Sequence, residues 1–202
     1  MFPVIRQLFI PLSYLRIKNN AKRVVDFYIP AMLSVILTTS IALLPFHVPV
    51  FGDHGLVTLI TNLLQILAGF YIAALAAVAT FQSPVLDEPL DGEPAILDVK
   101  RRGSNQEIPL TRRSFISYLF GYLSLMSIVI YLFGGLSSIF AHDIPVSSSF
   151  GMICLRYLFI LIFTAMTANL ITVTLLGLYY LTDRIHRPSS RPVIKPDSVD
   201  DE

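Results

Sequence analysis

The chain alternates between long apolar runs and short polar, basic segments. The apolar runs cover residues 27–44, 56–81, 115–140 and 150–181. A bilayer hydrocarbon core takes about 20 mostly apolar residues of α-helix, and each run meets or nearly meets that length. A surface helix of a soluble domain would repeat charge every three or four residues. The strands of a membrane barrel would alternate strictly over about ten residues. Neither pattern is present. The runs therefore predict an all-α membrane protein, a four-transmembrane-helix bundle. No acid falls inside a run, and Arg156 is the one base. Asp26 falls at the edge of the first run, and Pro30 suits a first helical turn. The fourth run is the longest and has to tilt or project beyond the lipid.

The segments between the runs fix the orientation. Five of the 15 Lys and Arg residues lie in 1–26 (Arg6, Arg16, Lys18, Lys22 and Arg23) and five lie in 82–114 (Lys100, Arg101, Arg102, Arg112 and Arg113). Four more follow in 182–202 (Arg184, Arg187, Arg191 and Lys195), while the loops 45–55 and 141–149 contain none. Short loops rich in Lys and Arg stay in the cytoplasm, and all three basic segments share one side only if there are four spans. This places both termini in the cytoplasm, with the chain multi-pass and the lipid bilayer as its first partner. Residues 1–26 interleave Leu8, Phe9, Leu12, Leu15 and Ile17 with bases. They read either as an amphipathic segment on the inner leaflet, with Arg16, Lys18, Lys22 and Arg23 toward headgroups, or as a plain topogenic flank. In 82–114, the stretches AILDVK and EIPLT flank RRGSNQ and predict a short cytoplasmic β-hairpin-like insertion; Pro109 confines its second strand to an edge. Residues 182–202, ending in Asp200, Asp201 and Glu202, read as a disordered tail.

Three groups of residues are candidates for function. The 82–114 loop carries Asp87, Glu88, Asp91 and Glu93 and then Lys100, Arg101, Arg102, Arg112 and Arg113, a candidate docking surface for a cytosolic protein. Thr58, Asn62 and Gln65 share one face of the second run, with Gly69, Ala73, Ala76, Ala77 and Thr80 continuing it. Such a face either packs against another helix or lines a pore. Arg156 sits about 9 Å along the fourth helix from its outer end, where an unpaired cation is costly; Asp143 in the nearby outer loop is the candidate partner for a salt bridge.

The remaining chemistry narrows the classes. There is no HExxH, GxSxG, GxGxxG or phosphate-binding glycine loop, so an enzyme is not expected, and no cofactor is implied. His47, His54, His142, Asp53 and Asp143 lack the spacing of a metal site. A formal net charge of +1 gives no field for direct nucleic-acid binding. The lone Cys154 lies in an apolar run and reads as a small hydrophobe. What remains is a sensor or scaffold that forms homo-oligomers and recruits a cytosolic protein, or alternatively a small oligomeric channel or membrane-permeabilising effector.

Four spans in 202 residues, short outer loops, and an inner loop with AILDVK, RRGSNQ and EIPLTRR resemble the membrane subunit of Kiwa-type bacterial anti-phage defence systems. The resemblance covers the chain as architecture. It implies an inner-membrane oligomer that responds to phage attack at the envelope, with a cytosolic DNA-binding subunit as partner. It assigns a role to no individual residue.

Overall fold

The computed structural model describes residues 7–17, 20–43, 49–81, 83–89, 96–101, 104–143 and 150–184. Four helices in it are long and apolar enough to cross a membrane. They are α1 (Val24–Leu43), α2 (Leu56–Thr80), α3 (Arg112–Asp143) and α4 (Phe150–Tyr179, continued by a π-helical turn Tyr180–Arg184). A 3-10 segment, Ile10–Arg16, and a helical turn, Asn20–Arg23, precede α1. Between α2 and α3 lie a short 3-10 turn, Pro84–Asp87, and two strands, β1 (Ile96–Arg101) and β2 (Ser104–Pro109). The strands pair antiparallel, with Ile96 opposite Pro109 and Arg101 opposite Ser104. Of the loop, Asp91, Glu93 and Arg102 lie outside the described residues, as do the tail beyond 184 and residues 44–48 and 144–149.

Local chemistry sets the helix ends. Residues Pro49 to Gly55 fold over the start of α2. There the Leu56 and Val57 N–H groups donate to the Pro49 and Val50 carbonyls at 3.0 and 3.1 Å, and the Thr58 hydroxyl donates to the Gly52 carbonyl at 2.8 Å. The first N–H groups of a helix have no partner inside it, and here the preceding loop supplies them. Thr111 caps α3, its hydroxyl oxygen accepting from the Ser114 N–H at 3.3 Å. Consequently α3 begins at Arg112, and Arg112 and Arg113 form its first turn. Hydropathy places that start at 115 because it discounts a charged helical turn.

The helices pack in a row rather than a closed square: α1 on α4, α4 on α3, α3 on α2. The middle of the row is the most buried, with Ile160, Phe163, Leu170 and Val173 of α4 against Leu119, Phe120, Leu123 and Ile130 of α3. Lipid tails are as apolar as these side chains, so packing and hydrogen bonds hold the helices together rather than hydrophobic drive. Gly134 lets three helices meet: a Cβ there would stand 3.0 Å from Phe163 and 3.1 Å from both Thr61 and Val57. Gly177 of α4 allows a close approach to α3 near the opposite ends of these helices, where a Cβ would stand 2.9 Å from Leu119.

Candidate functional site

The densest polar chemistry among the described residues sits at the foot of α1, and Pro30 explains it. Proline has no N–H, so a helix that runs through it leaves preceding carbonyls without a donor. Pro30 is not in a first turn here: helix runs from Asn20 to Leu43 through a π-helical stretch, Val24–Tyr28. The Ile29 N–H reaches back five residues to the Val24 carbonyl. The Val25 and Asp26 carbonyls lie five and four residues before Pro30, which can offer them nothing. Helix α4 supplies both donors: the Asn169 side-chain amide donates to the Asp26 carbonyl at 2.7 Å, and the Thr172 hydroxyl to the Val25 carbonyl at 3.2 Å. A bulge of this kind persists in a membrane because a neighbouring helix satisfies the freed carbonyls.

The bulge turns Asp26 inward, 2% exposed. Its carboxylate pairs with the Lys22 ammonium, one helical turn earlier, and accepts a hydrogen bond from the Tyr14 hydroxyl at 3.0 Å. The Lys22 ammonium also stands 4.0 Å from the centre of the Tyr14 ring. Burial, and then the adjacent Asp26 carboxylate, push the Tyr14 phenol well above the usual tyrosine range, so it remains a donor. The Tyr14 ring stacks on Tyr122 of α3 at 5.0 Å, and the Tyr122 hydroxyl donates to the Asn169 amide oxygen at 2.6 Å. The junction therefore joins the N-terminal 3-10 segment, α1, α3 and α4. The first span as read from the sequence omitted Asp26, and Lys22 was expected to face headgroups. Both are buried in the junction instead. Two signals for this stood in the sequence: Lys22 and Asp26 at i, i+4, and a proline inside a helical run.

The candidate docking loop is tied down at its base. The Arg113 guanidinium lies 2.8 Å from an Asp87 carboxylate oxygen and donates to the Val78 and Phe81 carbonyls at the end of α2, at 2.9 and 2.7 Å. Hydrogen bonding to Arg113 holds the exposed Asp87 carboxyl below its usual range. Arg112 is buried and stands 3.8 Å from Glu88, while its N–H donates to the Glu88 carbonyl at 3.0 Å. Lys100 and Arg101 are in β1, with side chains outside the described set. The N-terminal 3-10 segment touches β1, so the junction and the strands are in contact.

The Thr58, Asn62 and Gln65 group divides. Thr58 closes the loop before α2, and the Gln65 amide donates to the Tyr131 hydroxyl of α3 at 3.3 Å. Asn62 points away from the row, exposed, and its amide meets no partner among the described residues. Arg156 is exposed on α4 and forms no ion pair within the described residues; Asp143 ends α3, with its side chain outside them. Among the described residues no three His, Cys, Asp or Glu side chains gather. Cys154 is exposed rather than buried, as are all residues of the first turns of α4, 150–158. Comparison with protein-family models, with curated proteins and with solved structures finds no match to this chain.

Proposed function

We propose that the chain is a non-enzymatic scaffold or sensor subunit of a bacterial inner membrane, which self-associates through its spans and recruits a cytosolic protein to the 82–114 loop. The observation that carries this reading is the outward face of α2. Asn62, Gly69, Ala73 and Thr80 are all exposed there, on the side opposite α3. Hydrocarbon offers an amide no hydrogen-bond partner, and small residues permit close helix approach. A second copy of the chain supplies both an amide and a matching face. The distribution of Lys and Arg supports the cytoplasmic placement of both termini and of the loop. The Arg113–Asp87 and Arg112–Glu88 ties favour a loop held in one place against the helix ends, as a docking element requires. On the resemblance to Kiwa-type membrane subunits, the partner is a DNA-binding protein and the stimulus is phage attack.

Gentle solubilisation followed by mass measurement and affinity capture tests the reading. It requires a complex larger than one chain and a co-purifying cytosolic protein that is lost when 82–111 is replaced by a glycine-serine linker. A monomer recovered alone contradicts it. A second reading, a small oligomeric channel, draws on the same Asn62 amide: it requires bilayer conductance that Asn62→Leu alters.

A further inference from the structure

We propose that the N-terminal 3-10 segment and the foot of α1 form a binding surface for the headgroups of anionic phospholipids. The inference rests on insertion of the four helices in a bilayer and not on self-association or partner recruitment. Counted from Val24, the 20 described residues of α1 rise about 30 Å, enough to cross the hydrocarbon core. Arg16, Lys22 and Arg23 precede Val24, and this run of bases puts that end of α1 at a boundary of the lipid. The 3-10 segment lies at that boundary. Tyr14 stacks on Tyr122, and a Cβ on Gly121 would stand 3.7 Å from Pro11.

The start of this segment and the residues just before it are apolar and exposed, Leu8 68%, Phe9 55% and Ile10 49%. This surface runs on into Phe27 and Tyr28, 57% and 70% exposed, and so into the lipid-facing side of α1. The bases split into two kinds. Lys22 is taken up by Asp26 and Tyr14. Arg16 and Arg23 are exposed, and neither forms an ion pair among the described residues. An apolar ledge at the edge of the hydrocarbon, carrying two guanidinium groups whose neighbouring acid is already neutralised, complements a phosphate headgroup above two acyl chains. Guanidinium pairs with phosphate oxygens through parallel N–H donors, and each base near an anionic surface contributes about a fivefold preference.

The full-length protein, purified and stripped of lipid, is titrated with phosphatidylglycerol or phosphatidylcholine and read by native mass spectrometry. Phosphatidylglycerol should be retained preferentially. Arg16→Gln and Arg23→Gln should each reduce that preference about fivefold, with Arg16→Lys and Arg23→Lys reducing it less, because Lys keeps the charge without the parallel donors. Independently, a nitroxide on Leu8→Cys in a Cys154→Ser background, in vesicles of phosphatidylglycerol and phosphatidylcholine, should be relaxed by oxygen more than by an aqueous nickel chelate. Equal retention of the two lipids, or a preference that survives both Gln variants, overturns the proposal. So does a label reached mainly by the chelate, or one shielded from both agents, as beneath a protein partner.

Discussion

The two ends of the helix row, α1 and α2, each present a full face away from the protein, and the faces differ. The outward face of α1 carries the large apolar side chains Met32, Val35, Ile36 and Leu37, each roughly half exposed, with Thr39 and Ser40 exposed farther along. That of α2 carries Ile66 among Asn62, Gly69, Ala73 and Thr80, and nothing lies within 4 Å of a Cβ built on Gly69. Lipid chains fill the space beside the first surface without cost. Beside the second they leave an amide without a partner and a shallow groove that a flat helix face would fill better. The inward faces differ in the opposite sense. Helix α1 is fastened to α4 by polar groups, the Asp26 and Val25 carbonyls and the hydroxyls of Thr38 and Thr164, 3.5 Å apart. Helix α2 is fastened to α3 chiefly by close packing around Gly134. The α1 end of the row sets two carbonyls against donors of a neighbouring helix, and the α2 end leaves an amide outside.

Four changes probe this contrast, in order of decreasing effect. Lys22→Ala leaves the Asp26 carboxylate buried without its partner, and breaking a buried pair in this way costs about 3–5 kcal/mol. A loss of that size should appear in a detergent-unfolding titration, with self-association unchanged; replacing both residues, Lys22→Met with Asp26→Leu, should recover most of it. Gly134→Ala forces a methyl against Phe163, Thr61 and Val57 and should cost about 1–3 kcal/mol in the same titration. Gly69→Ala, in open space, should leave that titration unmoved, so a matched loss at Gly69 would mean that α2 is packed otherwise. Asn62→Leu should weaken the dimer by about 0.6 to 1.7 kcal/mol, or roughly threefold to twentyfold in dissociation constant, without altering the fold of one copy. Smallest is the pH response of the loop that follows α2. The Asp87 carboxyl is depressed by Arg113, so its stabilisation is complete above the unfolded value of about 3.9 and is lost as pH falls through the lower folded value. Amide exchange in 83–89 should therefore hold steady from neutral pH down to about 4, once corrected for intrinsic rates, and should rise only below that. Asp87→Asn should abolish the rise, and salt should blunt it because the pair is exposed.

Helix existence was legible in this sequence because hydrocarbon imposes a length of about 20 apolar residues, which no competing signal obscured. The helix starts were less legible. Asp26, Arg112 and Arg113 belong to helices, yet charge excludes them from any hydropathy window. Strand β1 overlaps AILDVK, whereas β2 begins at Ser104, inside the RRGSNQ stretch read as a turn, and overlaps EIPLT only over 107–109. The junction was readable only in pieces. Pro30 predicts orphaned carbonyls, and Lys22 with Asp26 predicts a pair at i, i+4. That Asn169, Thr172, Tyr14 and Tyr122 complete it depends on which helices are neighbours and on their axial registers, and no local pattern encodes those. The Thr58, Asn62 and Gln65 stripe was visible as helical spacing, but helical spacing cannot say which member faces a loop, which faces a neighbouring helix and which points away from the row. The structure assigns Thr58, Gln65 and Asn62 to these three in turn.

Cysteine crosslinking in native membranes compares the two outward faces directly. In a Cys154→Ser background, Ala73→Cys on α2 and Ile36→Cys on α1 place single thiols on the two surfaces. Mild oxidation should convert Ala73→Cys to a disulfide-linked dimer and leave Ile36→Cys monomeric. A dimer through Ile36→Cys with none through Ala73→Cys, or no difference between the two, would contradict a protein-facing α2 and a lipid-facing α1.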